Sequence, residues 1–174
     1  GLLVGAQKAA ISVKNINPNT PAGEILNRLD TLHQQIIKLE GFTFLWRGER
    51  NDIADAIAKP YRRASYKYIT NIQVNVFKMD YDTPIADAVV YPGNSKHRAV
   101  YTNKAGFANA KIANSPGDHQ LTIKLPGQKE TKTVSFKIEI DNNGNRKIRV
   151  FGEGVEGGIE DERLYINIFS QLLR

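Results

Sequence analysis

The chain contains no cysteine, which excludes disulfides, thiol nucleophiles and thiolate metal sites. It leaves secretion open, because secreted bacterial domains often lack cysteine. No apolar run approaches the ~18 residues of a membrane-spanning helix. No block of about five or six like charges exists. The net charge of +6 is spread along the chain: ten basic and six acidic side chains in residues 1–70, twelve and seven in 71–151, two and five in 152–174. Such scatter fits a solvated surface as well as an anionic partner. The sequence has no Gly-x-Ser-x-Gly elbow, no P-loop and no His-Glu-x-x-His. Its histidines, His33, His97 and His119, share no metal-ligand spacing.

What is present suits one domain with an appendage: 174 residues, 41% of them apolar. The chain opens on Gly1. Leu2-Leu3-Val4-Gly5-Ala6 before Gln7 reads as the tail of a signal peptide, with Val4 and Ala6 as the small residues of the cleavage site. The competing reading is the start of a strand or a loose end. Residues 7–19 read as polar and extended. A helix follows, with Thr20 as cap, Pro21 in its first turn, Glu24 at the positive end of its dipole and Gly41 as its stop. Ile25, Leu29, Leu32, Ile36 and Leu39 form an a/d seam, flanked by Leu26, His33 and Ile37. Two heptads fall short of a coiled coil, so packing within the chain is preferred over an intermolecular contact. A metal at His33 is not expected, because no second ligand lies at i±4.

Residues 42–46 read as a short buried or β-type run. Residues 49–59 read as a second helix, with Ile53, Ala56 and Ile57 inward and Pro60 ending it. Residues 61–68 interleave tyrosines with Arg62, Arg63 and Lys67. Such a pattern can hold single-stranded nucleic acid, but no recognition motif supports it. A strand or linker is the expectation, with nucleic acid not expected as a partner. From Thr70 the pattern turns to β, with seven runs at 72–77, 85–91, 97–102, 107–112, 119–125, 133–140 and 146–151. Asn143-Gly144 carries the strongest hairpin signal, as a type I′ turn. The spacing of these runs argues for an antiparallel sandwich. Residues 152–158 read as a flexible acidic linker, and 163–169 as a last strand returning to pair with 42–46. Asp80, Asp82 and Asp87 form a carboxylate cluster of the kind that can bind calcium, but Asp is also what turns use. The 141–145 segment lacks a distal glutamate. No metal or other cofactor is expected.

Three segments carry a family likeness. Thr83-Pro84-Ile85-Ala86-Asp87-Ala88-Val89-Val90 is followed by Tyr101-Thr102-Asn103-Lys104-Ala105-Gly106-Phe107-Ala108, then by Pro116-Gly117-Asp118-His119-Gln120-Leu121-Thr122-Ile123. In this order they resemble the carboxypeptidase regulatory-like domain, a transthyretin-like (prealbumin-like) β-sandwich, over about residues 72–151. Gln128 stands where the family's later turn usually has an aromatic. The resemblance implies a usually non-catalytic module of secreted or surface proteins, acting as spacer, docking surface or folding partner. One transthyretin-like branch hydrolyses hydroxyisourate with paired histidines, an arginine and a C-terminal Tyr-Arg-Gly-Ser. This chain ends Ser170-Gln171-Leu172-Leu173-Arg174 and offers only His97 and His119 in its β region, so those roles are not carried over.

The expectation is therefore an α+β protein. Residues 1–69 form an extended segment and helical region, 70–151 a seven-strand Greek-key sandwich, and 152–174 a linker and strand. Its expected role is non-enzymatic, extracytoplasmic and interactive, within a bacterial envelope or surface protein, through a protein partner or self-association. Leu29, Leu32 and Ile36, then Arg62, Arg63 and Tyr66, are the partner-surface candidates. The alternative is a carbohydrate or small-ligand module using Trp46, Tyr61 and Tyr68 as a platform, although burial of these rings is the plainer use. A hydrolase would need His97, His119 and a carboxylate in one pocket.

Overall fold

The computed structural model describes residues 1–40 and 50–170. The expected 42–46 strand, Trp46 and the Gly41 stop lie outside them. The architecture is α+β, with three helices followed by nine strands among the described residues. The helices are α1 (Leu2–Lys14), α2 (Ala22–Glu40) and α3 (Arg50–Tyr68). The strands are β1 (Ile69–Phe77), β2 (Val89–Pro92), β3 (Val100–Tyr101), β4 (Phe107–Ala113), β5 (Gly117–Lys124), β6 (Lys132–Ile140), β7 (Arg146–Phe151), β8 (Val155–Glu160) and β9 (Arg163–Phe169).

The helical part differs from the sequence expectation in four places. Residues 2–14 are a helix, not an extended tail. Ala6, Ala9, Ala10 and Val13 form its buried stripe, and alanine is the best helix former. The stripe escapes a hydrophobicity reading because its members are small. Likewise, α3 does not stop at Pro60 but runs on to Tyr68. An interior proline forfeits a hydrogen bond and costs about 3 kcal/mol. Burial of Ile57, Pro60, Ala64 and Tyr68 along one face offsets that cost. Ala56, expected inward, is exposed. In α2 the seam residues Ile25, Leu29 and Leu32 are fully buried in a core shared with α1 and α3. Thr20 does not cap α2: its hydroxyl accepts from the Asn17 amide at 3.0 Å and closes the turn ahead of the helix.

The strands form two sheets, ordered β4-β1-β9-β8 and β3-β2-β5-β6-β7. Both contribute alternate residues to one core, including Ile72, Val74, Ala110 and Ile166 from the first and Val90, Leu121, Phe136 and Ile138 from the second. Nine strands replace the expected seven because the C-terminal segment is not a linker. Residues 155–160 form β8, antiparallel to β9, and β9 lies parallel to β1 inside the four-stranded sheet. Hence β9 pairs with β1 and β8. The glycines that read as flexibility make room instead. A Cβ on Gly157 would come within 2.9 Å of Val150 Cγ1, and one on Gly158 within 2.7 Å of the Tyr165 hydroxyl. Asp161 and Glu162 close the β8–β9 hairpin with positive φ and no Asn-Gly signal. At the β6–β7 hairpin the turn is wider than type I′: the Asp141 amide donates to the Asn145 carbonyl, and only Gly144 has positive φ. Residues 85–88 precede β2 rather than belonging to it, and residues 96–98 form a short 3₁₀ turn ahead of β3.

The family-like segments act as a staple between these elements. The buried Thr102 hydroxyl accepts from the Ala88 amide at 2.9 Å and donates to the Ile85 carbonyl at 2.7 Å. Asn103 Oδ1 accepts from the amides of Ala105 and Phe107. Gly106, at φ +76°, sits so close to β1 that a Cβ would lie 2.6 Å from the Val76 carbonyl oxygen. Gly106→Ala therefore meets both a left-handed backbone and a backbone clash. It is expected to cost about 3 kcal/mol, read as a lowered midpoint in urea unfolding with an unchanged slope.

Candidate functional site

A dense polar cluster joins the helices to the β2–β3 loop. Asp30 lies on α2 beside the buried Leu29, which fixes its side chain on the flank that faces the loop. Its carboxylate accepts from the Ser95 hydroxyl at 2.6 Å and from Arg98 Nε at 3.0 Å, and His97 Nε2 lies 2.9 Å away. Arg98 and Asp30 keep only 11% and 15% of their side chains in water. The His33 ring stacks on His97 with centroids 6.1 Å apart, and on Tyr61 of α3 at 5.5 Å. A groove of ≈ 580 Å³ runs alongside, lined in part by Asp30, Gln34, Asn94, His97 and Gln120.

A serine, a histidine and an aspartate thus meet, but in an order unsuited to nucleophilic catalysis. A relay needs the histidine to accept the hydroxyl proton while the carboxylate orients the ring. Here the hydroxyl donates to the carboxylate, and His97 Nε2 is spent on the same group. The arrangement is a latch in which one carboxylate collects three donors.

His119 is elsewhere in chemical terms. It is buried, with Nε2 2.6 Å from the Ser115 carbonyl and its ring stacked on Phe136 at 5.1 Å. Burial pushes its pKa below the ordinary 6.5, opposed by the Ser115 carbonyl and Asp118. The groove beside His97 does not include His119 among its lining residues. The aspartates at 80–87 do not converge either. Asp80 accepts from the Thr83 hydroxyl and from the amides of Thr83 and Asp82, an Asx-type turn that lowers its pKa. Among the described residues no group of three or more His, Cys, Asp or Glu is placed to hold a metal ion.

The remaining sequence candidates divide by burial. Leu29 and Leu32 are 0% exposed and Ile36 is half-buried, so the seam is consumed inside the helical core and is not a partner surface. Tyr68 is buried, its hydroxyl donating to the Ile16 carbonyl at 3.0 Å, and Tyr61 is half-buried against His33. Trp46 lies outside the described residues, and of the expected platform Tyr68 is withdrawn into the helical core. Arg62, Arg63 and Tyr66 do reach solvent, Tyr66 with 93% of its area. Because α3 is a helix there, Tyr61 and Tyr68 turn inward and only Tyr66 among these rings stays out. Among the described rings of this segment, a row of exposed stacking faces of the kind single-stranded nucleic acid uses is not formed.

A further polar surface went unnoticed in the sequence. On the outer face of the four-stranded sheet, Asn109, Gln73, Tyr165 and Gly158 stand in one cross-strand row on β4, β1, β9 and β8. In the next row Asn75 Nδ2 donates to Asn167 Oδ1 at 2.9 Å, and Gln73 Nε2 donates to Asn75 Oδ1 at 3.2 Å. Two clefts, of ≈ 660 and ≈ 360 Å³, share Gln73, Arg163 and Leu164. Asn71, Gln73 and Asn75 alternate along β1 with the buried Ile72, Val74 and Val76. The pairing with Tyr165 and Asn167 was hidden because 152–174 read as an appendage.

Comparison with known proteins finds no matching family model, no matching curated protein and no matching solved structure.

Two outcomes follow from this geometry. Asp30→Ala leaves the mostly buried Arg98 guanidinium without its carboxylate. It should cost about 2–3 kcal/mol and speed hydrogen exchange at the Arg98 and Ala99 amides, with exchange in β5 and β6 least affected. For His119, the unfolded chain binds the proton more readily than the folded one. Stability is therefore full above about pH 6.5 and is lost as pH falls toward the lowered folded value. The slope in that window approaches ~1.4 kcal/mol per pH unit for one proton. His119→Gln should remove that part of the slope in denaturation series at stepped pH.

Proposed function

We propose that the chain is a non-catalytic interaction module of an extracytoplasmic bacterial envelope or surface protein. It is built on a transthyretin-like, Greek-key sandwich of the carboxypeptidase regulatory-like kind, here extended by β8 and β9. The roles of Thr102, Asn103 and Gly106 support the likeness, since each family-like residue serves the fold rather than a reaction. The observation that carries the interaction reading is the outward face of α3. Tyr66 stands 93% exposed beside the exposed Arg62, Arg63 and Lys67, on a helix whose opposite face is packed. Tyrosine and arginine are the residue types that most often dominate binding energy at interfaces.

The partner is a second copy of the chain. The basic α3 face is matched by the exposed acids Glu153, Glu156, Glu160, Asp161 and Glu162 at the other end of the sequence. Two different patches meeting make a head-to-tail contact, the kind that builds rings or filaments. Rim charges of this sort act mainly through salt-sensitive attraction.

In sedimentation velocity at low salt, the wild type should associate with rising concentration, and moderate salt should weaken the association. An Arg62→Glu, Arg63→Glu, Tyr66→Ser variant should remain monomeric at an unchanged melting temperature. A wild type that stays monomeric at low salt, or a variant that associates equally well, would defeat the proposal.

A further inference from the structure

The outer face of the four-stranded sheet has the chemistry of a sugar-binding surface, and this argument is independent of the α3 reading. Tyr165 faces outward from β9 opposite Gly158 on β8. Its ring lies over that glycine, for a Cβ there would meet the ring carbons Cζ and Cε1 at 2.9 and 3.0 Å. An aromatic covering a cross-strand glycine shields the bare backbone, and Tyr165 is only half-buried, so part of its ring stays open to solvent. Beside it, Gln73, Asn75 and Asn167 are half-buried and hold one another through their amides. That ladder fixes the planes of the three amides. It leaves Gln73 Oε1 and Asn167 Nδ2 without a protein partner among the described residues, one acceptor and one donor at the two ends of the ladder.

We propose that this face binds a neutral oligosaccharide lying across the strands, with Tyr165 stacked on a pyranose ring and the amides of Gln73, Asn75 and Asn167 bonded to its hydroxyls. A sugar hydroxyl both donates and accepts, and so does a carboxamide, so neighbouring hydroxyls match an amide in both roles. The ring face supplies the apolar half of the contact, for the C–H side of the pyranose. The row Asn109-Gln73-Tyr165-Gly158 crosses four strands, about 14 Å at ordinary strand spacing, which suits a short oligosaccharide better than a single sugar. Both clefts lie on this line. Charge argues for a neutral ligand: Arg146 and Arg163 share the rim with Glu160, Asp161 and Glu162, so no single-sign field selects an anion. A Gln–Asn ladder offers too little apolar surface for a lipid or an apolar peptide.

The test is calorimetry with cellohexaose, xylohexaose, mannohexaose, chitohexaose and maltohexaose, supported by amide chemical-shift mapping. At least one should bind in the millimolar range or tighter, with shifts centred on Gln73, Tyr165 and Asn167. Tyr165→Ala should weaken it about tenfold or more. Gln73→Ala with Asn167→Ala, which removes the ladder amides and leaves the packed core untouched, should do the same in a variant that still unfolds cooperatively. The α3 triple variant should bind like the wild type, so failure of self-association and failure of sugar binding are read separately. The proposal is overturned if none of the five binds, if binding survives the Gln73/Asn167 double variant, or if only a salt-sensitive acidic polysaccharide such as polygalacturonate binds.

Discussion

The placement of every surface in this protein depends on the junction at Tyr68. There α3 passes into β1 without a loop, so the last helical turn and the first strand residues share one continuous backbone. The helical and sheet cores are two distinct clusters of buried residues. A direct helix-to-strand run would act as a hinge unless its flanks were held. Tyr68 holds one flank through its hydroxyl on the Ile16 carbonyl. Asn114 holds the other, its amide on the Tyr68 carbonyl and its side chain on the Lys67 carbonyl. Asp30 adds a third tie, from α2 to the β2–β3 loop. These contacts set the direction of α3, and with it the direction in which Arg62, Arg63 and Tyr66 project.

The motifs that gave the family likeness are local solutions to backbone problems. Thr102 satisfies an amide and a carbonyl that a buried loop would otherwise strand, and unpaired buried polar groups are costly. Gly106 lets a turn approach β1 more closely than any side chain allows. Residues chosen for such reasons say where the chain bends and which strands neighbour one another. They carry no instruction about a ligand, which is why the likeness yields a fold expectation and leaves function to the surfaces.

Those surfaces divide by how they were built. The α3 patch is contiguous in sequence, and its residues were candidates from the start, although as part of a strand or linker. The helical periodicity decided which of them face out: Tyr66 does, while Tyr61 and Tyr68, equally aromatic, turn in. The sheet face is assembled from β1, β4, β8 and β9, separated by as many as 92 positions between Asn75 and Asn167. Gly158 in β8 read as part of a flexible linker because glycine signals backbone freedom, and only its contact with Tyr165 shows it to be space for a ring.

By itself the sequence determined the β region from Ile72 to Phe151, the seam of α2, the absence of thiol chemistry, and the glycine-dependent turn at Gly106. These are properties of short-range pattern: alternation, helical spacing, and residues that alone tolerate a given φ. Tertiary structure alone decided that an alanine stripe makes α1 a helix, that burial carries α3 through Pro60, that the C-terminal segment enters the sheet, and that Ser95, His97 and Arg98 all turn on one aspartate. Each of those outcomes depends on what a residue packs against, and that neighbour lies far away in the chain.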